Sequence, residues 1–422
     1  MANIWLINHD ASTPSTGMGG RHHYFARSLA AMGHKVTLIA ARKHHLLRER
    51  LDTEALPAEE AVSGYRFLRL DVPGYANAHD KRRVIAWSVF AARLWAMRVK
   101  PEERPDVVLY SSPQLLGFLG AERLARRYGA RLVFEVRDIW PLTLVEIGGF
   151  SPNHPVIRFF QWIEDRAYAR AERVVSNLEG AVAHMAARGL DDGKFTWISN
   201  GIDLDEVQNP APLSPEIAAR IPLEGLRIVY TGTLGAANAL DTLLDAAALL
   251  RDLPDVSILL VGQGRARAAL EARCDALGLN NVRFLGPVPK VQVQSVLVAC
   301  DVCYIGWKTS ALYRWGIAAN KLPEYLFAGN PIIHGFTGGN DPVAKFDAGI
   351  TVPAQNPQAL ANMIRRLRAM PATERRRMGE NGRRAALEHY DYTKLAKRLE
   401  QVLLGDFCRL TCNRSPEVEA DV

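Results

Sequence analysis

Long apolar runs are missing from this 422-residue sequence: no stretch reaches the roughly 18 uninterrupted apolar residues that a membrane-spanning helix requires. Cysteine is scarce. The five present, Cys274, Cys300, Cys303, Cys408 and Cys412, are too few and too late in the chain for the disulfide framework of a secreted domain, and a reducing cytoplasm fits that usage. Met1-Ala2-Asn3-Ile4-Trp5-Leu6-Ile7 has neither a basic region nor a cleavage site and reads as a first β-strand. Cys300-Asp301-Val302-Cys303 has redox or zinc spacing, but no second pair with supporting histidines follows it, so the two read as buried thiols where a helix enters a strand. No convincing Asp-x-Asp metal site and no low-complexity tract is found, and neither a metal nor a cofactor is expected.

What is present is ordinary for a folded, water-facing chain: 48% hydrophobic and 23% charged residues. The net charge of +7 and pI near 9.2 point to anionic partners. No nucleic-acid recognition signature accompanies the basic residues, which favours phosphate and membrane over nucleic acid. The length exceeds one comfortable hydrophobic core, so two domains are expected. Short apolar runs alternate with helical patterns throughout, the signature of βαβ units and parallel sheets in an α/β protein. Strands are expected at 3–9, 35–41, 106–111, 131–136 and 173–176, and again at 227–231, 256–261, 282–285, 302–305 and 331–334. Asn209-Pro210-Ala211-Pro212-Leu213-Ser214-Pro215 has linker composition, and the hinge is placed there. The domains are set at 1–205 and 206–384. The end, from Cys408, looks frayed.

The most informative segment is Asn320-Lys321-Leu322-Pro323-Glu324-Tyr325-Leu326-Phe327-Ala328-Gly329-Asn330-Pro331, which predicts a helix opened by Pro323 and closed by Gly329. Its start offers N–H groups to an anion, with Glu324 placed to accept bonds from a ribose diol. Val229-Tyr230-Thr231-Gly232-Thr233-Leu234-Gly235 joins a strand to a loop whose glycines admit a diphosphate to backbone amides. Arg265, after Gly264 in a similar strand-end turn, is a second phosphate candidate beside Lys321, although a solvated first-turn arginine is the better account. In the first half, Gly19 and Gly20 lie in a loop between strand and helix, with Arg21 beside them to attract an anion. Glu135-Val136-Arg137-Asp138 ends a strand in charge, on the side where open α/β sheets bind ligands. A salt-bridged structural cluster is the competing account, and for Glu135 the better one. The run Lys81 to Arg98 has a basic start and two tryptophans, which suits either an interfacial helix on anionic lipid or a helix with one face in the core.

Taken together, from about Asn3 to near Leu403, these residues make the chain resemble glycosyltransferase family 4, retaining enzymes of the GT-B type. It is most similar to the bacterial branch that adds N-acetyl-L-fucosamine or related amino sugars during O-antigen assembly. The resemblance implies two Rossmann-like doubly wound domains facing a cleft. The N-terminal domain binds acceptor, the C-terminal domain binds nucleotide sugar, and a helical segment at 385–404 crosses back to the N-terminal domain. It implies donor contacts from Gly19, Gly20, Gly232, Thr233, Gly264, Arg265, Asn320, Lys321 and Glu324, and from the backbone around Val288 for the nucleobase. Arg137 stands where the family often has histidine, and Asp138 is retained; with Lys321 they are the implied catalytic set. Asn200-Gly201-Ile202-Asp203 matches the family's motif before its linker, where a structural turn explains the residues equally well. Two departures stand out. Thr233 and Asn238 occupy places where most members have phosphate-pairing arginine and lysine, and Gly316 replaces the first of two glutamates spaced by seven, which suggests a donor lacking some hydroxyls of glucose. The implied reaction moves a sugar, plausibly an N-acetylated deoxyhexosamine, from a UDP-sugar to a polyprenyl diphosphate-linked saccharide at the anionic inner membrane face, without metal. The rival readings are a soluble acceptor and a non-catalytic nucleotide-sugar binder.

Overall fold

The structure is a computed structural model that describes residues 1–17, 19–48, 51–75 and 80–405. Met18, Cys408, Cys412 and the frayed end expected from Cys408 lie outside the described residues. The chain divides into two compact units, Met1–Ser199 with Tyr392 onward, and Asn200–Asp391.

Unit 1 is built on an eight-stranded sheet of β1 (Asn3–Ile7), β2 (Lys35–Ala41), β3 (Glu59–Val62), β4 (Tyr65–Leu70), β5 (Val107–Ser111), β6 (Arg131–Val136), β7 (Arg173–Ser176) and β8 (Phe195–Trp197). Its order is β3-β4-β2-β1-β5-β6-β7-β8, and every pairing is parallel except β3 with β4. The central strands are buried along their length, which is why they read as unbroken apolar runs. β3 and β4, absent from the sequence expectations, form an edge hairpin on the two-residue turn Ser63-Gly64, both with positive φ. Charge inside both strands hides them: Arg69 of β4 is buried and pairs with Glu60 of β3. The helices used below are α1 (Gly20–Ala31), α2 (Arg83–Ala96), α3 (Leu116–Tyr128) and α4 (Pro155–Arg170).

Unit 2 carries a six-stranded parallel sheet of β9 (Leu226–Thr231), β10 (Val256–Val261), β11 (Val282–Gly286), β12 (Val302–Gly306), β13 (Ile332–Gly335) and β14 (Gly349–Val352), in the order β11-β10-β9-β12-β13-β14. Strand parity divides its core: Ile228, Tyr230, Ile258 and Leu260 pack on one face and Val229, Leu259 and Val261 on the other. Both sheets reverse their winding beside their first long strand, between β1 and β5 and between β9 and β12. Such switch points are where open α/β sheets take ligands, outside the carboxyl ends of the strands. Helix α5 (Leu322–Ala328) starts with Pro323 in its first turn and ends on Gly329 in the left-handed conformation, as expected from the sequence. Helix α6 (Ala372–His389) packs on α5 at Gly379, where any Cβ would strike the Gly329 carbonyl.

The crossings between units differ from the boundaries expected from the sequence. The first lies at Ser199/Asn200, not near 205 or in the proline-rich stretch. Ile202 donates to the Tyr390 carbonyl, and Ala211 is held to unit 2 by its N–H to Val291 and by the Ser295 hydroxyl on its carbonyl. The returning segment is shorter than 385–404, because residues up to Asp391 stay in unit 2. Helix α7 (Tyr392–Leu404) alone joins unit 1, where Tyr392 stacks on Tyr24 at 4.6 Å and Leu395, Leu399 and Leu403 enter the core.

Candidate functional site

In unit 2 the candidate residues gather at the carboxyl ends of β9, β10 and β11 and at the start of α5. β9 runs into Gly232, whose φ of 130° excludes other residues without strain. Gly262, the residue after β10, packs backbone to backbone against it: a Cβ on Gly262 would lie 1.9 Å from the Gly232 oxygen. This packing uses up amides. The N–H groups of Gly232, Leu234 and Gly235 donate to Val261, Gln263 and Thr233 carbonyls, which leaves the Thr233 N–H as the loop amide without an internal partner among the described residues. Gly264 serves the same packing, since a Cβ there would meet the Leu234 carbonyl at 2.3 Å. Arg265 sits exposed beside it.

Lys321 lies over this loop. Its ammonium would be 3.2 Å from a Cβ on Gly232; it donates to the Tyr230 hydroxyl at 2.7 Å and to Asn238 Oδ1 at 3.2 Å, and it stands 4.0 Å from the centre of the Tyr230 ring. Tyr230 and Asn238 in turn donate to the Thr233 carbonyl at 2.7 and 2.9 Å, so one network fixes both the cation and the peptide that it overlooks. No carboxylate pairs with Lys321 among the described residues, and burial pushes its pKa down to about 7. A partly buried cation held only by neutral dipoles is stabilised by an anion that arrives. Tyr230 carries no ligand signal in sequence; on an apolar strand it reads as core, and its hydroxyl matters only because the chain turns back over it.

Glu324 lies in the first turn of α5 with 14% of its side chain exposed and forms an ion pair with Lys290. Lys290 follows Val288-Pro289, so this pair ties the turn after β11 to α5. Sequence reasoning overlooked Lys290, an exposed lysine among many. Asn320 accepts from Asn200 Nδ2 at 2.8 Å, and the same amide donates to the Ala318 carbonyl, so Asn200 braces the approach to Lys321. Asp203 accepts from the N–H groups of Asp205 and Glu206 and caps the short helix Leu204–Gln208. Trp307, Tyr313 and Phe336 form an aromatic cluster, Gly316 donates its N–H to the Tyr313 carbonyl, and Lys308 N–H donates to the Ala237 carbonyl. His334 accepts from the Trp307 indole at 3.0 Å while its Nδ1 bonds Asp341, which locks the cluster in place.

In unit 1 the expected residues meet at the ends of β1, β5 and β6 and the start of α1, with a different outcome for each. Arg21, expected to attract an anion, is consumed internally: its guanidinium pairs with Glu135 at 2.8 Å and also donates to the Ile198 and Ser199 carbonyls. Glu135 also takes His22 and the Ser111 hydroxyl, and despite burial the Arg21 charge with the His22 hydrogen bond holds its carboxyl well below the usual range. Asp138, expected to act on a substrate, has both oxygens engaged by its own turn, from the Thr143 hydroxyl at 2.6 Å and the Trp140 indole at 3.0 Å, and burial raises its pKa. Arg137 differs. Its backbone is fixed by the Ser112 hydroxyl, and its Nε is buried with no partner among the described residues. Gly19 and Gly20 both have positive φ, 66° and 72°, and nothing lies within 4 Å of the Cβ position on Gly20, so the approach to α1 is open there. Among the described residues no group of three or more His, Cys, Asp or Glu side chains clusters as metal ligands would.

Residues 16–201 match the model of the glycosyl transferase 4-like domain, and residues 225–369 match that of the glycosyl transferases group 1. A putative colanic acid biosynthesis glycosyl transferase, WcaI of Escherichia coli (strain K12), is 23% identical over 331 residues, 76% of this chain and 79% of that protein. Among solved structures, the sucrose-phosphate synthase of Thermosynechococcus elongatus matches with a TM-score of 0.76 at 19% identity, covering 97% of this chain and all of that one. Anabaena HepE in complex with UDP-glucose matches with a TM-score of 0.65 at 16% identity, covering 96% of this chain and all of that one. The two Rossmann-like sheets are those of the GT-B fold.

Proposed function

From the premise that this chain belongs to the glycosyl transferases of group 1 and is a family 4 glycosyltransferase, we propose that it moves a sugar from a UDP-sugar to a polyprenyl diphosphate-linked saccharide, with retention, in bacterial surface polysaccharide synthesis. The observation that carries the donor side is Lys321, a partly buried cation above the Gly232-Thr233 turn whose partners among the described residues are all neutral. A departing nucleoside diphosphate develops negative charge as the glycosidic bond breaks, and a preformed cation beside a free amide stabilises it without reorganising. Lys321 and the Thr233 N–H take the diphosphate, Glu324 takes the ribose diol, and the turn at Val288 takes the base edge. Arg265, exposed at the neighbouring turn, adds positive potential. Donor binding is assigned to unit 2. Acceptor binding is assigned to unit 1, with Arg137 as a contact.

The sugar follows from what stands where the family's first glutamate is absent. Gly316 offers no carboxylate to sugar hydroxyls, and the Trp307, Tyr313 and Phe336 rings supply an apolar wall instead. Such a wall suits a hexose that has lost a hydroxyl, which supports an N-acetylated deoxyhexosamine. Surface polysaccharide as the product rests on the likeness to WcaI, and UDP on the likeness to HepE. The test is a thermal-shift panel of nucleoside diphosphates and their sugars. UDP and a UDP-deoxyhexosamine raise the melting temperature of the wild type, and Lys321→Met removes both shifts; stabilisation by another base, or shifts that survive Lys321→Met, would refute the reading.

A further inference from the structure

Helix α2 is apolar on two faces. Its inner face buries Ala86, Trp87, Phe90 and Leu94, while Val84, Ile85, Ala92 and Trp95 point outward, with Ile85 56% and Trp95 47% exposed. A helix that needs only a core contact has no use for a second apolar stripe. Helix α4 repeats the pattern: Val156, Phe159 and Trp162, at a spacing of three, are each about half exposed, and Phe159 and Trp162 stack at 6.0 Å. Helix α3 runs between them and contributes arginines. Trp95, Arg123, Arg126, Trp162 and Arg166 line one groove of about 480 Å³, so both tryptophans border the same surface.

The charges on this face are specific. The Arg123 guanidinium lies 4.3 Å above the Trp95 ring, and Arg166 lies 5.7 Å above Trp162 while forking onto the nearly buried Glu122. Arg123 and Arg126 are exposed and have no carboxylate partner among the described residues. Apolar side chains of this size held in water, level with unpaired guanidinium groups, suit the boundary between phosphate headgroups and acyl chains, where rings are desolvated and arginines meet phosphate. A second copy of the chain is a poor occupant, because a two-fold contact sets the arginine rows against each other.

We propose that the face of α2, α3 and α4 docks on an anionic phospholipid bilayer, with Trp95, Phe159 and Trp162 entering the headgroup boundary and Arg123 and Arg126 pairing with lipid phosphates. This extends the lipid-linked acceptor reading and rests on it for its purpose. It also replaces the single helix at 81–98 with a three-helix surface. The experiment is cosedimentation of the full chain with phosphatidylglycerol-rich and with pure phosphatidylcholine vesicles, at low and high salt. Three proteins are compared: wild type, Phe159→Glu/Trp162→Glu and Arg123→Glu/Arg126→Glu. Wild type partitions to the anionic vesicles at low salt with a blue shift of its tryptophan emission, and each double variant binds about tenfold more weakly or worse. Both variants keep the nucleotide-dependent melting shift, which shows that they fold. Equal binding to phosphatidylcholine, or variants within about threefold of wild type, overturns the proposal, as does a wild-type dimer that these substitutions split. Vesicle binding without UDP-sugar turnover upholds the docking surface and refutes the proposed reaction, so the two failures are separable.

Discussion

Arg21 in unit 1, buried, and Lys321 in unit 2, partly buried, are both cations beside glycine turns at the switch point of a parallel sheet, yet they are solved differently. Arg21 faces Glu135 at 2.8 Å and two backbone carbonyls, so its charge is cancelled inside the fold. Lys321 faces a phenol, an amide and a ring, and its charge is left over, which is why burial brings its pKa to about 7. A cation neutralised by the fold holds the fold together; one left unneutralised awaits a ligand. Arg137 stands between the two: its buried Nε has no hydrogen-bond partner among the described residues, yet the Glu135 carboxylate favours its charge.

The largest effect expected is structural. Glu135→Ala strands Arg21 without a counter-charge and lowers unit 1 stability by about 3–5 kcal/mol, seen as a depressed melting temperature by calorimetry. Because the folded Glu135 pKa is depressed, its contribution is present above the unfolded carboxylate pKa and is lost only as pH falls through the folded value. Lys321→Met inverts the pattern: turnover falls about 100-fold or more, while the melting temperature holds or rises, since no stranded charge remains. A loss of stability like that of Glu135→Ala would erase the distinction between the two cations.

The pH dependence sharpens it. A bound diphosphate raises the Lys321 pKa above its free value of about 7, so nucleotide affinity is full below that pH. Above it, affinity weakens by up to about tenfold per pH unit until the bound pKa is reached. Lys321→Arg flattens the profile between neutral and alkaline pH, as isothermal titration at several pH values will read. For the ribose contact, Glu324→Ala reduces the preference for UDP over 2′,3′-dideoxy-UDP by about tenfold. The smallest effect belongs to Lys290→Ala, which removes a half-exposed partner of Glu324 and changes nucleotide affinity by about threefold at most.

Much of the fold was legible in sequence because its devices are local. Pro323 and Gly329 bracket α5, and the buried parallel strands show as apolar runs. The edge hairpin β3-β4 was not legible, since arginine and glutamate interrupt its pattern and pair only once the strands lie side by side. The three-residue strand β8 carries too few residues to show a period. In the candidate site, Lys321 and Glu324 were visible from their place in a helix start. Tyr230 and Lys290 were not, because each acts through a neighbour far away along the chain. Arg21 shows the reverse: expected to attract an anion, it pairs with Glu135, 114 residues away, whose salt-bridged reading the sequence already favoured.

By itself the sequence determined the alternation of strand and helix, the doubly wound class, and the glycine turns and capped helix where a nucleotide sugar is expected, because periodicity, proline and glycine act over a few residues. Only the tertiary structure decided which buried charges are cancelled and which are left over, that the return to unit 1 begins at Tyr392, and that α2 and α4 turn apolar stripes outward. Charge pairing and exposure depend on which distant residues become neighbours, and that is set when the sheets assemble.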